Sequence, residues 1–321
     1  MPGPWFGGWT FEGAERWMLP QVLAWWSGGR TYAAAFGDRA AELLAEIEEA
    51  DPVIAAPRAR VEQGDQPGWS RMVEAALEEI AAGTFSKVVV ARRLLVRAQT
   101  AFDERRILKA LEARFASCRT FLLRTDDGAA FLGASPETLC RVRGQSLQTE
   151  ALAGTGAGEE LLSSNKDRRE HAWVVEAIME SLRPLTRSIE VEAEPGLKRL
   201  ANVTHLWTPI RAELRDGLDP IVAARALHPT PAVGGTPRAA ALAFQRAHEG
   251  FDRGWYAGAI GARGPAGLEL CVGIRSALVH GTEATVYAGA GIVAGSTAAA
   301  EWAETSRKAS ALLGALGVDD V

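Results

Sequence analysis

Residues 119–144, RTFLLRTDDGAAFLGASPETLCRVRG, decide the fold class of this chain. Three runs within them, 119–125, 129–135 and 137–144, are rich in residues that favour extended backbone. Asp126-Asp127-Gly128 separates the first two runs with a tight-turn sequence, which predicts a hairpin. Strands that follow one another without an intervening helix favour antiparallel sheet over the parallel sheet of a doubly wound protein.

Helices and strands also occur in blocks along the rest of the chain. Apolar spacing predicts helices over 41–50, 71–83, 103–116, 164–184, 221–229, 237–250 and 298–313. Strands are predicted over 87–93, 202–210, 255–264, 268–280 and 283–293, whereas 61–69 has the composition of a loop and the region after 184 that of a polar turn. This block order predicts an α+β fold built on antiparallel sheet.

Composition excludes several classes of function. The chain has 321 residues, 47% hydrophobic and 23% charged, as in a globular protein of one large or two smaller domains. Its net charge of −5 argues against nucleic-acid or anionic-membrane surfaces, although local positive charge could still bind a small anion. Three widely spaced cysteines favour a reducing cytoplasm. No signal pattern or long apolar run is present, so we expect neither export nor membrane insertion.

A lysine stands at the start of the predicted strand in GTFSKVVVARR, residues 83–93. Lys87 shares a strand face with Val89 and Ala91, because side chains alternate along a strand. Its local sequence fits either a solvated cation at the end of a strand or a chemical group of a site.

The helix predicted over 164–184 carries an inward carboxylate. Ser164 can cap its N-terminus, and Pro184 ends it. Glu170 lies one turn before Trp173 and Val174, on the apolar stripe and near the positive end of the helix. An inward glutamate needs a partner.

The C-terminal helix carries Glu301, Glu304 and Lys308 along one stripe. This spacing alone is typical of a solvated Glu–Lys pair. The helix follows the glycine-rich YAGAGIVAGS, residues 287–296, whose free N–H groups could meet an anion but which matches no nucleotide-binding motif. Carboxylates of Glu170 and Glu304 would suit a hard cation such as Mg²⁺, if the fold brings the two helices together.

Three further polar residues each allow two interpretations. Glu137 follows a proline between two predicted strands. It is either an exposed acid in a turn or a site residue. His205, in VTHLWT, is either a satisfied core histidine or a site residue. Arg275 interrupts an apolar strand, where a buried salt bridge and an anion clamp are equally good explanations.

Taken together, these segments resemble the chorismate-utilising enzymes, which include isochorismate, salicylate, anthranilate and aminodeoxychorismate synthases. The resemblance is carried, in the family's order, by FSKVVVARR, FLGASPETLCR, ALAGT, NKDRREHAWVV, VTHLWT, LHPTPAVGGTP, FDRGWYAGAIG, CVGIRSALV, YAGAGIVAGS and EWAETSRKAS. It covers about residues 83–313 and implies one α+β domain of two antiparallel sheets stacked face to face, with helices around them. Residues 1–60 match weakly and look shortened relative to most members. We expect a shortened N-terminal segment, 1–66, packed on a catalytic domain over 67–321, with one structural domain overall.

The resemblance also implies roles for individual residues. Glu170 and Glu304 would bind Mg²⁺, with Glu301 as an additional or water-mediated ligand, and the cation would hold the ring carboxylate of chorismate. The carboxylates of the substrate would be surrounded by Arg275, Tyr256, Gly289 and Lys308. His205 and the backbone of Gly154-Thr155 would line the ring side.

Lys87 indicates which nucleophile enters. By the resemblance, members that add ammonia carry glutamine at this position, whereas members that add water carry lysine. Lys87 would take a proton from the water that attacks ring C2, provided that burial and nearby cations favour its neutral amine. Glu137, on the opposite ring face, would protonate the departing C4 hydroxyl, so its pKa should be raised.

Other positions narrow the choice among members. Aminodeoxychorismate synthases resemble one another in a lysine where this chain has Ala153. Ala232 and Val233, in HPTPAVGG, are similar to the isochorismate synthase version rather than to that of salicylate synthases. We therefore expect isomerisation of chorismate to isochorismate, with salicylate synthesis by pyruvate elimination as the alternative and a catalytically silent chorismate-binding protein as a third.

The expected isomerase activity also predicts the partners of the protein and the pathways that its product could enter. A water-adding member needs no ammonia, so no glutaminase subunit is expected, and we expect a cytoplasmic monomer. Its product could feed siderophore, salicylate or menaquinone synthesis, and the sequence does not distinguish among them.

Overall fold

A computed structural model of the chain describes residues 4–27, 30–45, 56–156, 158–199 and 204–318. Over these ranges the strands form two large sheets and one separate hairpin, and every pair of neighbouring strands is antiparallel. The α+β fold with antiparallel sheets is therefore confirmed.

Within the described ranges the larger sheet has nine strands. Their order in space is β11 (Thr186–Val191), β13 (Thr204–Leu214), β10 (Ser146–Gly156), β9 (Thr138–Arg143), β16 (Gly267–Val272), β15 (Ala259–Gly264), β1 (Trp5–Trp9) and β2 (Glu15–Met18), with β12 (Gly196–Arg199) also paired to β13.

The smaller sheet has seven strands in the part of the chain that the structure describes. Their order is β14 (Gly235–Thr236), β6 (Lys87–Ala98), β18 (Glu283–Val293), β17 (Ser276–His280), β8 (Ala130–Ser135) and β7 (Arg119–Arg124), with β5 (Ala59–Gln63) also paired to β6. The separate hairpin consists of β3 (Val22–Ser27) and β4 (Arg30–Ala35).

The described helices pack against the two large sheets, except for the first, which packs against the separate hairpin. They are α1 (Ala40–Ala45), α2 (Gln66–Ala81), α3 (Glu104–Arg114), α4 (Glu160–Ser163), α5 (Asn165–Leu182), α6 (Pro220–Leu227), α7 (Arg238–His248) and α8 (Ala298–Ala315), and a single 3₁₀ turn, Arg183–Leu185, follows α5. Side-chain oxygens accept N–H groups at the starts of α3, α5 and α8, from Asp103, Ser164 and Thr297. None of the described helices is long and apolar enough to cross a membrane.

The two sheets share one core. Ala91 and Phe131 of the smaller sheet pack in the same buried cluster as Leu139, Ile210 and Leu270 of the larger sheet. The outer face of the smaller sheet is covered by α3 and α8 over one cluster and by α2 and α7 over another. Burial on both faces explains the apolar runs in these strands, such as Val88–Val90 of β6 and Ala130–Ala134 of β8.

Strand β6 shows how side-chain alternation assigns the two faces. Val88 and Val90 pack with α2 and α7 on the outside. Ala91 joins the core between the sheets, and Lys87 and Val89 line a pocket beside that core. The lysine at the start of the strand is therefore directed to the inner face.

Two direct crossings between the sheets, without a helix in between, lie next to each other in the described structure. β8 leads to β9 through Pro136 and Glu137, and β16 leads back to β17 through residues 273–275. Hydrogen bonds hold these crossings side by side, from Val272 N to Glu137 O at 3.1 Å and from Ala134 N to Arg275 O at 3.1 Å. Both polar residues thereby reach the same edge of the intersheet core.

Several element predictions are confirmed and others are corrected. The hairpin at 126–128 is confirmed by the pairing of β7 with β8, and the helix capped by Ser164 is α5. The predicted strand 268–280 is in fact two strands, because the backbone turns at Arg275, whose φ is 51°. Residues 59–63 and 186–199 contain strands β5, β11 and β12 rather than loop and turn. Of the predicted helix 41–50, residues 46–50 lie outside the described ranges.

Near the N-terminus, β1 and β2 extend the larger sheet through β15. Trp9 is almost fully buried there, and its Nε1 donates to His228 Nδ1 at 3.0 Å. The division of the chain at residue 66 stays a prediction.

Candidate active site

A pocket opens beside the intersheet core, where β6 and β18 face β10, β13 and the helices α5 and α8. All the predicted site residues except Thr155 line it, namely Lys87, Glu137, Gly154, Glu170, His205, Tyr256, Arg275, Gly289, Glu301, Glu304 and Lys308. The backbone of Thr155 lies in β10 opposite His205, and its side chain is outside the described part of the structure. The fold therefore brings together groups that are up to about 220 positions apart in the sequence.

Lys87 is buried, with only 1% of its surface exposed, so the solvated-cation interpretation is wrong. Its Nζ donates to Oε1 of Glu170 at 2.7 Å. The expectation that the inward Glu170 has a partner is thus confirmed, and the partner is the candidate base. Gly291 on β18 leaves room for the pair, since a Cβ there would lie 3.0 Å from both Lys87 Cε and Glu170 Oε1.

Glu137 is also buried, with 5% of its surface exposed, so it is not an exposed turn acid. Thr230 Oγ1 donates to its Oε1 at 3.4 Å. Burial raises the pKa of Glu137 to about 7, and the charge of Glu150 adds to this against the opposing charges of Lys198 and Lys87. The predicted rise is confirmed, and the carboxyl group can hold a proton near neutral pH.

Helix α8 contributes two carboxylates and a cation. Lys308 Nζ donates to Glu304 Oε1 at 2.7 Å and to Gly289 O at 3.0 Å. Burial opposes ionisation of Glu304, but the charge and hydrogen bond of Lys308 outweigh it and lower the pKa of Glu304. Burial, together with the nearby Glu304 charge, raises the pKa of Glu301, which has Lys166 Nζ at 3.7 Å. The interpretation of this stripe as a solvated pair is therefore wrong.

His205 lies on the opposite wall of the pocket. Its Nδ1 donates to Gly154 O at 3.1 Å, because a carbonyl oxygen can only accept. Burial lowers the pKa of His205 to about 3, and the charges of Lys308 and Arg275 add to this effect, so the ring is neutral. Gly154 has a φ of 71°, in a bulge of β10 where a Cβ would crowd Asp167.

Tyr256 and Arg275 form a further part of the wall. The Tyr256 ring stacks on Tyr287 with 5.0 Å between centroids, and burial raises its pKa to about 12. Gly289 allows the Tyr256 hydroxyl to approach β18, because a Cβ at this glycine would lie 2.7 Å from that oxygen. Arg275 reaches the pocket from its left-handed turn between the sheets, and burial lowers its pKa.

Some pocket residues were missed from the sequence. Lys166 and Asp167 lie on the first turn of α5, four and three positions before Glu170, so helical spacing could have indicated them. Leu152 alternates with Gly154 on β10, which is a usable signal as well. Tyr287 of β18 carries no comparable signal, because a tyrosine in a buried strand is ordinary core.

Three carboxylates in the pocket are candidate ligands for a cation. Among the described residues, no group of three or more His, Cys, Asp or Glu side chains is placed to hold a metal ion by itself. Yet Glu170, Glu301 and Glu304 all line the one pocket, and a lysine stands against each of them. Mg²⁺ commonly binds one or two carboxylates and completes its octahedron with water and substrate oxygens. The oxygen donors present fit that kind of site.

Known proteins with similar sequences share one family with this chain. A family model described as "Chorismate binding enzyme" matches residues 29–317. The salicylate biosynthesis isochorismate synthase of Pseudomonas aeruginosa is 43% identical over 269 residues, which are 79% of this chain and 56% of that protein. The chain likewise spans 62% and 60% of two curated proteins named isochorismate synthase MenF, so it is much shorter than these relatives.

Two solved structures are similar over most of the chain. The menaquinone-specific isochorismate synthase MenF of Escherichia coli has a TM-score of 0.89 and 32% identity, and the match covers 98% of this chain and 79% of that one. Anthranilate synthase component I of Streptococcus pneumoniae has a TM-score of 0.74 and 26% identity, with 85% of this chain and 64% of that one covered.

Proposed function

This chain belongs to the family of chorismate-binding enzymes, and we propose that it isomerises chorismate to isochorismate. In this reaction water adds at ring C2, the ring double bonds shift, and the C4 hydroxyl leaves. The observation that carries the proposal is that one pocket contains both a buried lysine, Lys87, and a buried acid, Glu137. The raised pKa of Glu137 lets it hold a proton. Relatives named isochorismate synthases at 38–43% identity support it.

Lys87 is the proposed general base. As water attacks C2, Lys87 would accept the proton that the water loses, and to do so the ammonium paired with Glu170 must first give up a proton. Val89 and Gly291 lie beside it in the pocket wall and contribute apolar and backbone surface there. Ala153 has no amine that could attack the ring covalently, which fits direct addition of water.

Glu137 is the proposed general acid. Its protonated carboxyl would give a proton to the departing C4 hydroxyl, which then leaves as water. One proton is taken up by Lys87 and one is released by Glu137, so the conversion is an isomerisation without net loss of water. Before the next turnover Lys87 must lose the proton that it gained, and Glu137 must regain one.

The two carboxylates of the substrate require positive and hydrogen-bonding groups. We assign these to Arg275, Lys308, the Tyr256 hydroxyl and the backbone at Gly289, with His205 and Gly154-Thr155 along the ring. Together they give an acidic protein the local positive charge that an anionic ligand needs. Ala232 and Val233 line the same pocket and would shape the space around the enolpyruvyl group.

Mg²⁺ is the proposed cofactor, with Glu170 and Glu304 as ligands and Glu301 as an additional or water-mediated one. When bound, the cation would neutralise the ring carboxylate of chorismate and so draw electrons toward that end of the ring. Glu170 and Glu304 also position Lys87 and Lys308, to which they are hydrogen-bonded.

The direct test is product analysis. Purified protein is incubated with chorismate and Mg²⁺, and the products are identified by chromatography beside a protein-free control. Isochorismate as the main product supports the proposal. Salicylate with pyruvate would mean a salicylate synthase, and unchanged chorismate would mean a silent binding protein.

The same proposal extends to the cellular setting of the protein. Cys118, Cys140 and Cys271 are free thiols, which fits the reducing cytoplasm. We propose a monomer that needs no glutaminase subunit, because its nucleophile is water. Its product would enter siderophore, salicylate or menaquinone synthesis.

A further inference from the structure

Glu150 and Lys198 form an ion pair directly behind the turn that carries Glu137. Lys198 Nζ donates to both carboxylate oxygens of Glu150, at 2.8 Å each. Trp207 Nε1 donates to Glu150 Oε2 at 2.6 Å. The carboxylate is thus held from two sides, and both members of the pair are mostly buried.

The ion pair is bonded to the backbone on each side of Glu137. Lys198 donates to Pro136 O at 2.7 Å. Glu150 Oε1 accepts the N–H of Thr138 at 2.8 Å. The residue before and the residue after Glu137 are therefore attached to the same charged pair, which restricts rotation of the turn.

The sheet explains how two distant positions reach this place. Glu150, Leu152 and Gly154 share a face of β10, and the last two line the active-site pocket. Lys198 lies on β12 opposite His205 of β13, another pocket residue. The pair is thus one step along the sheet from the pocket and does not line it.

Given the isomerase activity proposed above, we infer that Glu150 and Lys198 are positioning residues for Glu137. They hold the backbone on both sides of Glu137 and place one negative and one positive charge near its carboxyl group. Neither residue lines the substrate pocket, so the effect is exerted on Glu137 and not on the bound ligand.

The electrostatics agree with this geometry. Burial is the main cause of the raised pKa of Glu137, after which Glu150 raises it and Lys198 lowers it. The other groups that face this carboxyl are Lys87 of β6, the Thr230 hydroxyl and the Cys271 thiol of β16. Glu150 and Lys198 therefore have opposite effects on the same proton.

A second cavity reaches the same turn from the side remote from the substrate. Glu137 lines both cavities, and Lys198 lines the second one together with Cys118, Arg119 and Arg141. Water in this cavity could return a proton to Glu137 while substrate or product fills the pocket. Lys198 brings one charge of the ion pair to this cavity, where it would act on that proton.

The test compares Glu150→Gln with Lys198→Met in the full chain. Turnover by protonated Glu137 should fall as pH rises through about 7. The midpoint of this alkaline limb in kcat should move down by about 0.5 pH units or more in Glu150→Gln and up by a similar amount in Lys198→Met. KM for chorismate should change less than about twofold, since neither side chain lines the pocket.

Two control variants distinguish positioning of Glu137 from a general loss of protein stability. Glu213→Gln removes an exposed carboxylate from the same sheet and should leave the midpoint unchanged. Lys198→Arg keeps the charge and should restore the wild-type midpoint. Shifts in the same direction for both single variants, or lower kcat with an unshifted midpoint, would overturn the inference.

A readout without turnover distinguishes this inference from the proposed function. Carbon NMR of protein with ¹³C-labelled glutamate carboxyls gives the titration of Glu137, assigned by the signal lost in Glu137→Gln. Opposite shifts of that titration in Glu150→Gln and Lys198→Met would support the positioning role even if the wild type made no isochorismate. Unshifted titration in protein that does make isochorismate would sink the positioning role alone.

Discussion

Lys87 and Glu170 form a buried ion pair, with Nζ donating to Oε1 at 2.7 Å across 83 positions of sequence. The pair joins the first residue of β6 to the second turn of α5. The proposed base and a proposed metal ligand are thus one connected unit. A change to either residue, or to the space around them, should affect both functions.

Lys87→Gln should abolish most of the conversion of chorismate. A glutamine amide cannot take a proton from water, so kcat should fall by about 10² or more. The amide can still donate to Glu170, so the protein should fold with a loss of about 1–3 kcal/mol in the free energy of unfolding. Chromatographic rates and urea unfolding measure the two effects.

The matched control is Lys109→Gln, which removes an exposed lysine of α3 and should leave both quantities unchanged. Near wild-type turnover in Lys87→Gln would show that Lys87 is not the base.

Glu137→Gln should inactivate the enzyme and yet stabilise it above neutral pH. The folded-state pKa of Glu137 is raised to about 7 from an ordinary value of 4.5. Below pH 4.5 the folded and unfolded forms both hold the proton, so the wild type pays no cost there. As pH rises toward 7 only the unfolded form loses it, which lowers the free energy of unfolding by up to about 3 kcal/mol.

Glutamine removes this dependence. Compared with the wild type, Glu137→Gln should be about 1–3 kcal/mol more stable at pH 8 and nearly equal at pH 4.5, as measured by urea unfolding. A variant that is less stable at pH 8 than the wild type would contradict a buried, proton-holding carboxyl at this position.

Local sequence patterns are sufficient to predict features that depend on neighbouring residues. The hairpin at 126–128 and the cap at Ser164 depend on neighbouring residues only, and both were predicted correctly. The resemblance to chorismate-utilising enzymes is confirmed, because its motifs lie in one order over most of the chain. Those motifs also identified residues that the fold then places around one pocket.

Other features could not be found in this way, for physical reasons. In the described part of the chain β11 and β12 pair with β13 alone, so neither needs the continuous apolar run of a strand buried on both faces, and their sequences resemble a polar turn. The change of sheet at Arg275 depends on one backbone angle, while the apolar pattern continues through it. The Glu150–Lys198 pair joins strands 48 positions apart and has no periodic signal.

Gly291→Ala should lower turnover without unfolding the protein. The backbone at Gly291 is outside the left-handed region, so alanine can adopt it, but its Cβ would lie 3.0 Å from both Lys87 Cε and Glu170 Oε1. The ion pair must move by a few tenths of an ångström, and kcat should fall about 10-fold to 100-fold. Steady-state kinetics with chorismate measure this.

Gly196→Ala is the control for that substitution. Gly196 lies on β12 with Trp207 as its nearest neighbour at 3.7 Å, an ordinary contact, so kcat should be unchanged. Unchanged turnover in Gly291→Ala as well would mean that the position of the Lys87–Glu170 pair is not critical.

Glu304→Gln should weaken binding of Mg²⁺ more than Glu301→Gln does. Lys308 keeps Glu304 ionised, and an ionised carboxylate is the better ligand for a hard cation. Glu301, whose pKa is raised by burial and by Glu304, holds its proton more readily and fits an additional or water-mediated ligand. Calorimetric titration of EDTA-treated protein with MgCl₂ should show at least about tenfold weaker affinity in Glu304→Gln.

The control variant Glu180→Gln, which changes an exposed carboxylate of α5, should bind Mg²⁺ as the wild type does. Equal affinity in all three variants would place the cation elsewhere, and a larger loss in Glu301→Gln would reverse the order of the two ligands.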